Sequence, residues 1–193
     1  MSTTLEKDMV KPITLANPTP LGLVSFAVST ILLSLANAGI IENASPIMAQ
    51  GLFVGGLAQM LAGILEFTKG NTFGCLVFTT FGGFWLTSAG IEGLVKLGWA
   101  SAPDGSVLGA FFFIWAVYAF LLLLGVFKDG RVLTLTLSTV FLLFLFCAIY
   151  HWTQSHVVLN IAGWIGIVCG SSALYLGTAI TIEETAKKKL LPY

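Results

Sequence analysis

The chain has 193 residues, of which 56% are hydrophobic and only 9% are charged, with nine basic and nine acidic side chains. Soluble domains carry roughly 25% charged residues, so this composition excludes an ordinary water-soluble protein. The balanced charge, without a basic excess, also argues against a nucleic-acid partner.

Six apolar segments follow one another along the chain, each about as long as a helix that crosses a bilayer, roughly 20 residues. We predict a helix in each, since lipid offers no partner to unpaired backbone groups. The fold class expected is therefore an all-α integral membrane protein with six transmembrane helices per protomer. The predicted spans are Leu21–Ile41, Pro46–Phe67, Thr72–Leu97, Val107–Phe127, Val132–His151 and Val157–Ile182.

Short connections with turn-forming residues separate the spans. Asn43-Ala44-Ser45-Pro46 offers a helix cap followed by a proline at the first helical position. Lys69-Gly70-Asn71-Thr72 combines a glycine that ends one helix with an asparagine that caps the next. Pro103-Asp104-Gly105 and Lys128-Asp129-Gly130-Arg131 are typical of turns.

The first span begins within a proline-containing sequence, Asn17-Pro18-Thr19-Pro20. We expect Thr19 to cap this helix and Pro20 to occupy its first position, since proline fixes the backbone there. The free N–H groups that follow would then form a weak anion site. A plain helix start without a ligand is an equally good interpretation.

Basic residues are distributed unequally between the two sides. Eight of the nine fall on the side that holds both termini, and only Lys96 falls on the other, where Glu92 precedes it by four residues. The positive-inside rule predicts cytoplasmic termini and an inner-membrane location. We divide the chain into a cytoplasmic segment (1–16), a six-helix transport domain (17–182) and a basic cytoplasmic tail (183–193).

Residue patterns that carry chemistry are missing from the sequence. It contains no motif for ATP binding, zinc hydrolysis or a nucleophilic serine, and Cys75, Cys147 and Cys169 stand singly in apolar segments. His151 and His156 fall at the outer ends of spans, where interfacial residues are more common than ligands. We therefore predict no catalytic residue, no metal and no cofactor, and a protein that is not an enzyme.

Small residues recur at helical spacing in two spans. Gly51 and Gly55 form one GxxxG sequence, and Gly166 and Gly170 form another. Such residues let membrane helices approach closely. Packing within one protomer is one use of such residues, and packing between protomers is the alternative.

Polar side chains inside the spans predict a path for a solute, because such groups are costly in lipid unless they face protein or water. No Lys or Arg lies near the middle of a span, so the path would be uncharged and would bind weakly. Glu66 is either a proton relay or a wet surface carboxylate near Lys69. The polar span residues expected along this path are Thr30, Asn37, Gln59, Glu66, Thr79, Thr87 and Ser172.

Several long motifs together resemble one known family. NPTPLGL at Asn17–Leu23 resembles the NPAPLGL motif of the acetate uptake transporters, also called succinate–acetate permeases or the YaaH family. Three further stretches are similar to the same family in the same order: Leu61–Gly74, Phe78–Leu86 and Ala162–Leu176. The resemblance implies a six-helix protomer with its own pore, a homo-hexamer in the lipid bilayer, and transport of acetate, succinate or another small carboxylate by a channel or proton symport mechanism.

The resemblance also implies a constriction. The family narrows its pore with a phenylalanine, a tyrosine and a leucine, and the matching positions are Phe26, Phe81 and Val140. Phe81 lacks the tyrosine hydroxyl, and Val140 is smaller than leucine. Ala173 matches a small pore-facing position that the family links to substrate size. To the residues expected along the path, the family resemblance adds Asn17, Pro18, Pro20, Leu21, Gly22, Asn71, Trp85, Trp164 and Ala173.

Two other functions remain open on the residues alone. One is a channel for a small neutral solute such as urea or ammonia, since a path without a buried cation would suit it equally well. The other is a structural or signalling membrane protein, against which the interior polar groups argue.

Overall fold

The structure of the protein is a computed structural model that describes residues 15–42, 45–127 and 130–193. Their regular secondary structure is helical throughout, and six helical segments are long and apolar enough to cross a membrane, as predicted. The helices are α1 (Thr19–Asn37), α2 (Ser45–Gln50), a π-helix (Gly51–Ala58), α3 (Gln59–Thr68), α4 (Thr72–Lys96), α5 (Gly105–Val126), α6 (Arg131–Thr153) and α7 (His156–Ala186).

Most helix ends lie within two residues of the predicted bounds, and two differ by four residues for local reasons. Helix α1 ends at Asn37 rather than at Ile41, because Gly39 adopts a positive φ of 73° and the chain folds back there. The N–H of Ile40 then bonds to the carbonyl of Leu35 at 2.9 Å. Helix α7 continues four residues beyond the predicted Ile182 and stops where Lys187 turns left-handed with a φ of 52°.

The turn predictions can be compared with the structure at two connections. Gly70 has a φ of 71°, and the Asn71 side chain accepts the Gly74 N–H at 3.0 Å, which confirms the predicted stop and cap. Asp104 caps α5 by accepting the Val107 N–H at 2.9 Å. Hydrogen bonds from Ser106 and from the Val107 N–H lower the pKa of Asp104. Asn43-Ala44 and Lys128-Asp129 lie outside the described residues.

The start of α1 corrects one prediction. Thr19 does not cap the helix: its N–H donates instead to the side-chain oxygen of Asn17 at 3.0 Å, and its hydroxyl donates to Glu66. The N–H of Gly22 donates to the carbonyl of Pro18 at 3.2 Å. Two of the amides at this helix start therefore have partners within the protein, and the anion site stays a prediction.

The π-helix was not predicted from the sequence, although its glycines were singled out. A Cβ added at Gly55 would lie 2.7 Å from the Trp85 ring, and one at Gly170 would lie 2.5 Å from Ile31. Both glycines therefore allow close packing within one protomer, which is the first of the two uses predicted for them. Gly51 and Gly55 of the π-helix both lie against the Trp85 ring of α4.

A cluster of aromatic rings from α4, α5 and α6 fills the centre of the bundle. The Phe84 ring lies 4.8 Å from that of Phe144 and 5.2 Å from that of Trp115, both edge to face. Helix α1 packs most extensively against α7, and α5 packs against α6. This arrangement surrounds the space between α1, α4, α6 and α7 with rings and small side chains.

Candidate solute pathway

Two cavities lie along the interior of the bundle. The first, of about 240 Å³, is bordered by Thr19, Asn71 and Tyr193, and we call it the tail-side cavity. The second, of about 580 Å³, extends toward the α4–α5 connection and is bordered by Pro103 and Lys96; we call it the loop-side cavity. Together they extend from one end of the bundle toward the other.

The three predicted constriction residues lie where the cavities approach each other. Phe26 and Val140 border both cavities, and Phe81 borders the tail-side cavity. All three are buried, at 7%, 1% and 2% exposure for Phe26, Val140 and Phe81. The rings of Phe26 and Phe81 are 6.0 Å apart. These three residues therefore form a short apolar barrier between the two cavities.

Four polar groups at the cavity walls lack a hydrogen-bond partner among the described residues. The Thr30 hydroxyl, the Trp85 indole N–H and the Ser88 hydroxyl border the loop-side cavity, and the Gln59 side-chain oxygen borders the tail-side cavity. Thr30, Gln59 and Trp85 are at most 5% exposed. Buried polar groups are almost always paired, so unpaired ones at a cavity indicate where water or solute binds.

Glu66 lies behind the wall of the tail-side cavity. It is 1% exposed, which corrects the interpretation of a wet surface carboxylate. It accepts hydrogen bonds from the Thr19 hydroxyl and, at 2.8 Å, from the Asn71 amide. Lys69 does not pair with it, since its ammonium donates to the carbonyl of Leu15 at 2.8 Å. The carboxylate thus holds two polar residues that face the cavity.

The loop-side cavity is bordered by two charged side chains near the α4–α5 connection. Glu92 and Lys96 form the predicted ion pair at 2.6 Å and border this cavity together with His151. The His151 ring stacks nearly parallel on Phe112, at 5.1 Å and 8°. His151 is therefore a packed cavity residue, whereas His156 is exposed.

The structure divides the predicted pathway residues into three groups. The first borders a cavity and comprises Thr30, Asn37, Gln59, Asn71 and Trp85.

The second group lies behind the cavity walls. Ser172 is within 2.9 Å of the Thr136 hydroxyl, and Gly22 packs against the Phe78 ring, while Thr136 and Phe78 border the tail-side cavity. Ser172 and Gly22 thus contact residues that border the cavity, whereas Asn17 donates to Glu184 in an exposed hydrogen bond. The group comprises Asn17, Pro18, Pro20, Gly22, Glu66, Thr79, Ser172 and Ala173.

The third group lies on the outer surface of the protomer. Leu21, Thr87 and Trp164 are exposed, with Trp164 at 54%, and they border neither described cavity. Their side chains face the surroundings of the bundle. The structure of one protomer therefore gives them no place on the pathway.

Several cavity residues were missed by sequence reasoning. Thr136 and Ser88 are ordinary hydroxyl residues within spans, and Tyr193 lies beyond the last span, where hydropathy gives no signal. Gly22 marks the close approach of α1 to Phe78 of α4, which borders the tail-side cavity. Which hydroxyl groups face the cavities depends on helix rotation.

Comparisons with known proteins agree with this architecture. Residues 2–190 match the model of the GPR1/FUN34/yaaH family. The chain is 42% identical to the succinate-acetate/proton symporter SatP of Escherichia coli strain K12, over 92% of this chain and 95% of that protein. It is 33% identical to the ammonia transport outward protein 3 of Saccharomyces cerevisiae, over 83% of this chain and 62% of that protein.

A solved structure is also similar along nearly the whole chain. The bacterial acetate channel SatP superimposes with a TM-score of 0.91 at 41% sequence identity, over 93% of this chain and 99% of that one. The agreement covers the six spans that border the two cavities. The chain belongs to the GPR1/FUN34/yaaH family.

Proposed function

We propose that this protein is a membrane channel or proton-coupled transporter for acetate and related short-chain carboxylates. One observation carries the proposal: two cavities approach each other at a buried, uncharged barrier made by Phe26, Phe81 and Val140. One relative is named as a succinate-acetate/proton symporter, and the similar solved structure is named as an acetate channel.

The walls suit a solute with one polar and one apolar end. The hydroxyl of Thr30 and the indole N–H of Trp85 border the loop-side cavity and can each donate a hydrogen bond to a carboxylate oxygen. The surrounding rings and aliphatic side chains would contact a methyl group. Since the described lining of the tail-side cavity contains no charged side chain, an anion would be held weakly and released quickly.

The barrier determines which form of the solute crosses. A carboxylate must shed water to pass between Phe26 and Phe81, and desolvating an unpaired charge is costly. A protonated acid avoids that cost, whereas an anion needs a transient opening that admits water. Both the symport and the channel mechanism fit this geometry, so the charge carried per acetate is the measurement that separates them.

The direct test is acetate uptake into liposomes that contain the purified protein. Phe26→Ala removes a ring of the barrier, and we expect faster uptake and weaker discrimination against larger carboxylates. Phe53→Ala is the matched control, because Phe53 is 60% exposed on the outer surface. Equal uptake by the protein, both variants and empty liposomes would contradict the proposed function.

We also propose the assembly and topology that the sequence suggests. The protomers form a homo-hexamer in the inner membrane, with residues 1–16 and 183–193 in the cytoplasm and residues 17–182 as the transport domain. The eight-to-one distribution of basic residues supports this orientation. We propose no catalytic activity, since the named relatives are transporters or channels. Labelling of single cysteines from each side tests the orientation.

A neutral solute is the second candidate. The relative from Saccharomyces cerevisiae is named for ammonia transport, and an uncharged barrier would pass ammonia without desolvating a charge. Competition separates the two: labelled acetate uptake that is blocked by propionate and unaffected by ammonium favours the carboxylate. The reverse pattern favours ammonia.

A further inference from the structure

The residues after α7 turn back toward the bundle instead of leaving it. Lys187 adopts a left-handed conformation with a φ of 52°, and the Lys188 N–H bonds to the Glu183 carbonyl at 3.2 Å. This reversal directs residues 188–193 along the end of α7. We call residues 187–193 the returning segment.

Three contacts fix the end of the returning segment. The Tyr193 hydroxyl donates to the Glu183 carboxylate at 2.5 Å, and the Tyr175 hydroxyl donates to the carbonyl of Pro192 at 2.7 Å. The Lys189 ammonium lies 4.3 Å from the centre of the Tyr193 ring, within the range of a cation–π contact. One ring is thus held from two sides.

The Tyr193 ring is part of the wall of the tail-side cavity. It borders that cavity beside Leu176 and Ile180 of α7 and packs against the apolar core that contains Phe26 and Phe81. The cavity is therefore bounded at one end by the apolar barrier and at the other by a residue outside the transmembrane helices. That residue is attached through a short segment rather than through a helix.

We propose that Tyr193 is a lid on the tail-side cavity, latched by Glu183, and that its displacement opens this cavity to water. The inference builds on the proposed function in that it treats this cavity as part of the solute path. The lid and the Phe26 barrier would then be two separate restrictions in series. A solute trapped between them would face the Gln59 oxygen that lacks a partner.

The latch is expected to persist at neutral pH. The hydrogen bond to Glu183, burial, and the negative charges of Glu183 and Glu184 raise the pKa of the Tyr193 hydroxyl. The hydroxyl therefore keeps its proton and remains a donor to the carboxylate. A hydrogen bond to a charged acceptor is also among the stronger ones.

Cysteine accessibility tests the lid without reference to transport. Ile180→Cys, in a full-length chain whose three native cysteines are replaced by alanine, places a thiol in the cavity wall beside Tyr193. The rate of its modification by a charged methanethiosulfonate is measured in detergent. Tyr193→Ala should raise this rate by more than about tenfold, because it removes the covering ring as well as the hydrogen bond to a charged group, whose loss alone corresponds to about tenfold.

Two further variants separate the latch from the ring. Tyr193→Phe and Glu183→Ala keep an aromatic ring in place but remove the hydrogen bond, and we expect a smaller increase in the modification rate. Leu190→Ala is the matched control, because it lies in the same segment and is exposed at 53%. A rate that is the same within error in the parent, Tyr193→Ala and Glu183→Ala would overturn the lid.

The same proteins distinguish the lid from the proposed function. An increased modification rate in Tyr193→Ala supports the lid even if no variant takes up acetate in liposomes, in which case the proposed function alone fails. An unchanged modification rate overturns the lid even if acetate uptake is normal.

Discussion

The side-chain amide of Asn71, the residue before α4, donates a hydrogen bond of 2.8 Å to the carboxylate of Glu66 in α3. The oxygen of the same amide accepts the Gly74 N–H at 3.0 Å and so caps α4. Glu66 also accepts from the Thr19 hydroxyl at the start of α1. One buried carboxylate therefore connects α1, α3 and α4 beside the tail-side cavity.

This relationship predicts different outcomes for two substitutions of Glu66. A glutamine can accept from Asn71 and donate to the Thr19 hydroxyl, so Glu66→Gln should keep the fold and most acetate uptake. Glu66→Leu leaves both half-buried partners unsatisfied, and each unpaired group costs up to about 1–3 kcal/mol. We therefore expect a lower Tm and much reduced uptake for Glu66→Leu, measured by thermal unfolding in detergent and by liposome uptake. Loss of uptake in Glu66→Gln at an unchanged Tm would instead indicate a proton carrier.

Val140 determines the width of the barrier, since it is 1% exposed and borders both cavities. Val140→Ala should speed acetate uptake and Val140→Leu should slow it, each by about fivefold for a barrier change of about 1 kcal/mol. Leu142→Ala, at an exposed position two residues further along α6, is the control. Uptake rates that do not follow the size of the side chain at residue 140 would contradict a barrier at this level.

The unpaired Thr30 hydroxyl should donate to the carboxylate, and the unpaired Gln59 side-chain oxygen should accept from the protonated acid. Thr30→Val and Gln59→Leu remove groups at the loop-side and tail-side cavities with little change in volume. Each should raise the acetate concentration that gives half-maximal uptake by about three- to tenfold, which is the effect of losing one modest hydrogen bond. Thr87→Val is the matched control, since Thr87 is exposed and borders neither cavity. Concentration dependence of uptake is the measurement, and equal values in Thr30→Val and Thr87→Val would disprove a role for Thr30.

Gly55 should be intolerant of a side chain because its Cβ would lie 2.7 Å from Trp85 and 2.9 Å from the Ser29 hydroxyl. Gly55→Ala forces Trp85 or the π-helix to move, and overpacking of this kind costs about 1–3 kcal/mol. We expect a lower Tm together with altered uptake, since Trp85 borders the loop-side cavity. Gly125→Ala, where a Cβ would meet no atom within 4 Å, should leave both unchanged. Equal Tm values for the two variants would argue against this packing.

Local signals in the sequence determined the six spans, the glycine stop at Gly70, the cap at Asn71 and the turn at Asp104. A span requires only a long apolar run, and a cap requires only the residue and its neighbours in the chain. The three barrier residues came from resemblance to a family, and the structure places them together between the cavities.

Only the tertiary structure decided which polar residues reach the cavities and which support them from behind. Glu66 became a buried anchor and Trp164 an outer-surface residue, because helix rotation and the neighbours across the bundle determine where each side chain lies. The π-helix and the return of Tyr193 to the cavity also depend on contacts between residues far apart in the chain. A nearly uniform apolar sequence contains no period strong enough to specify those rotations and contacts.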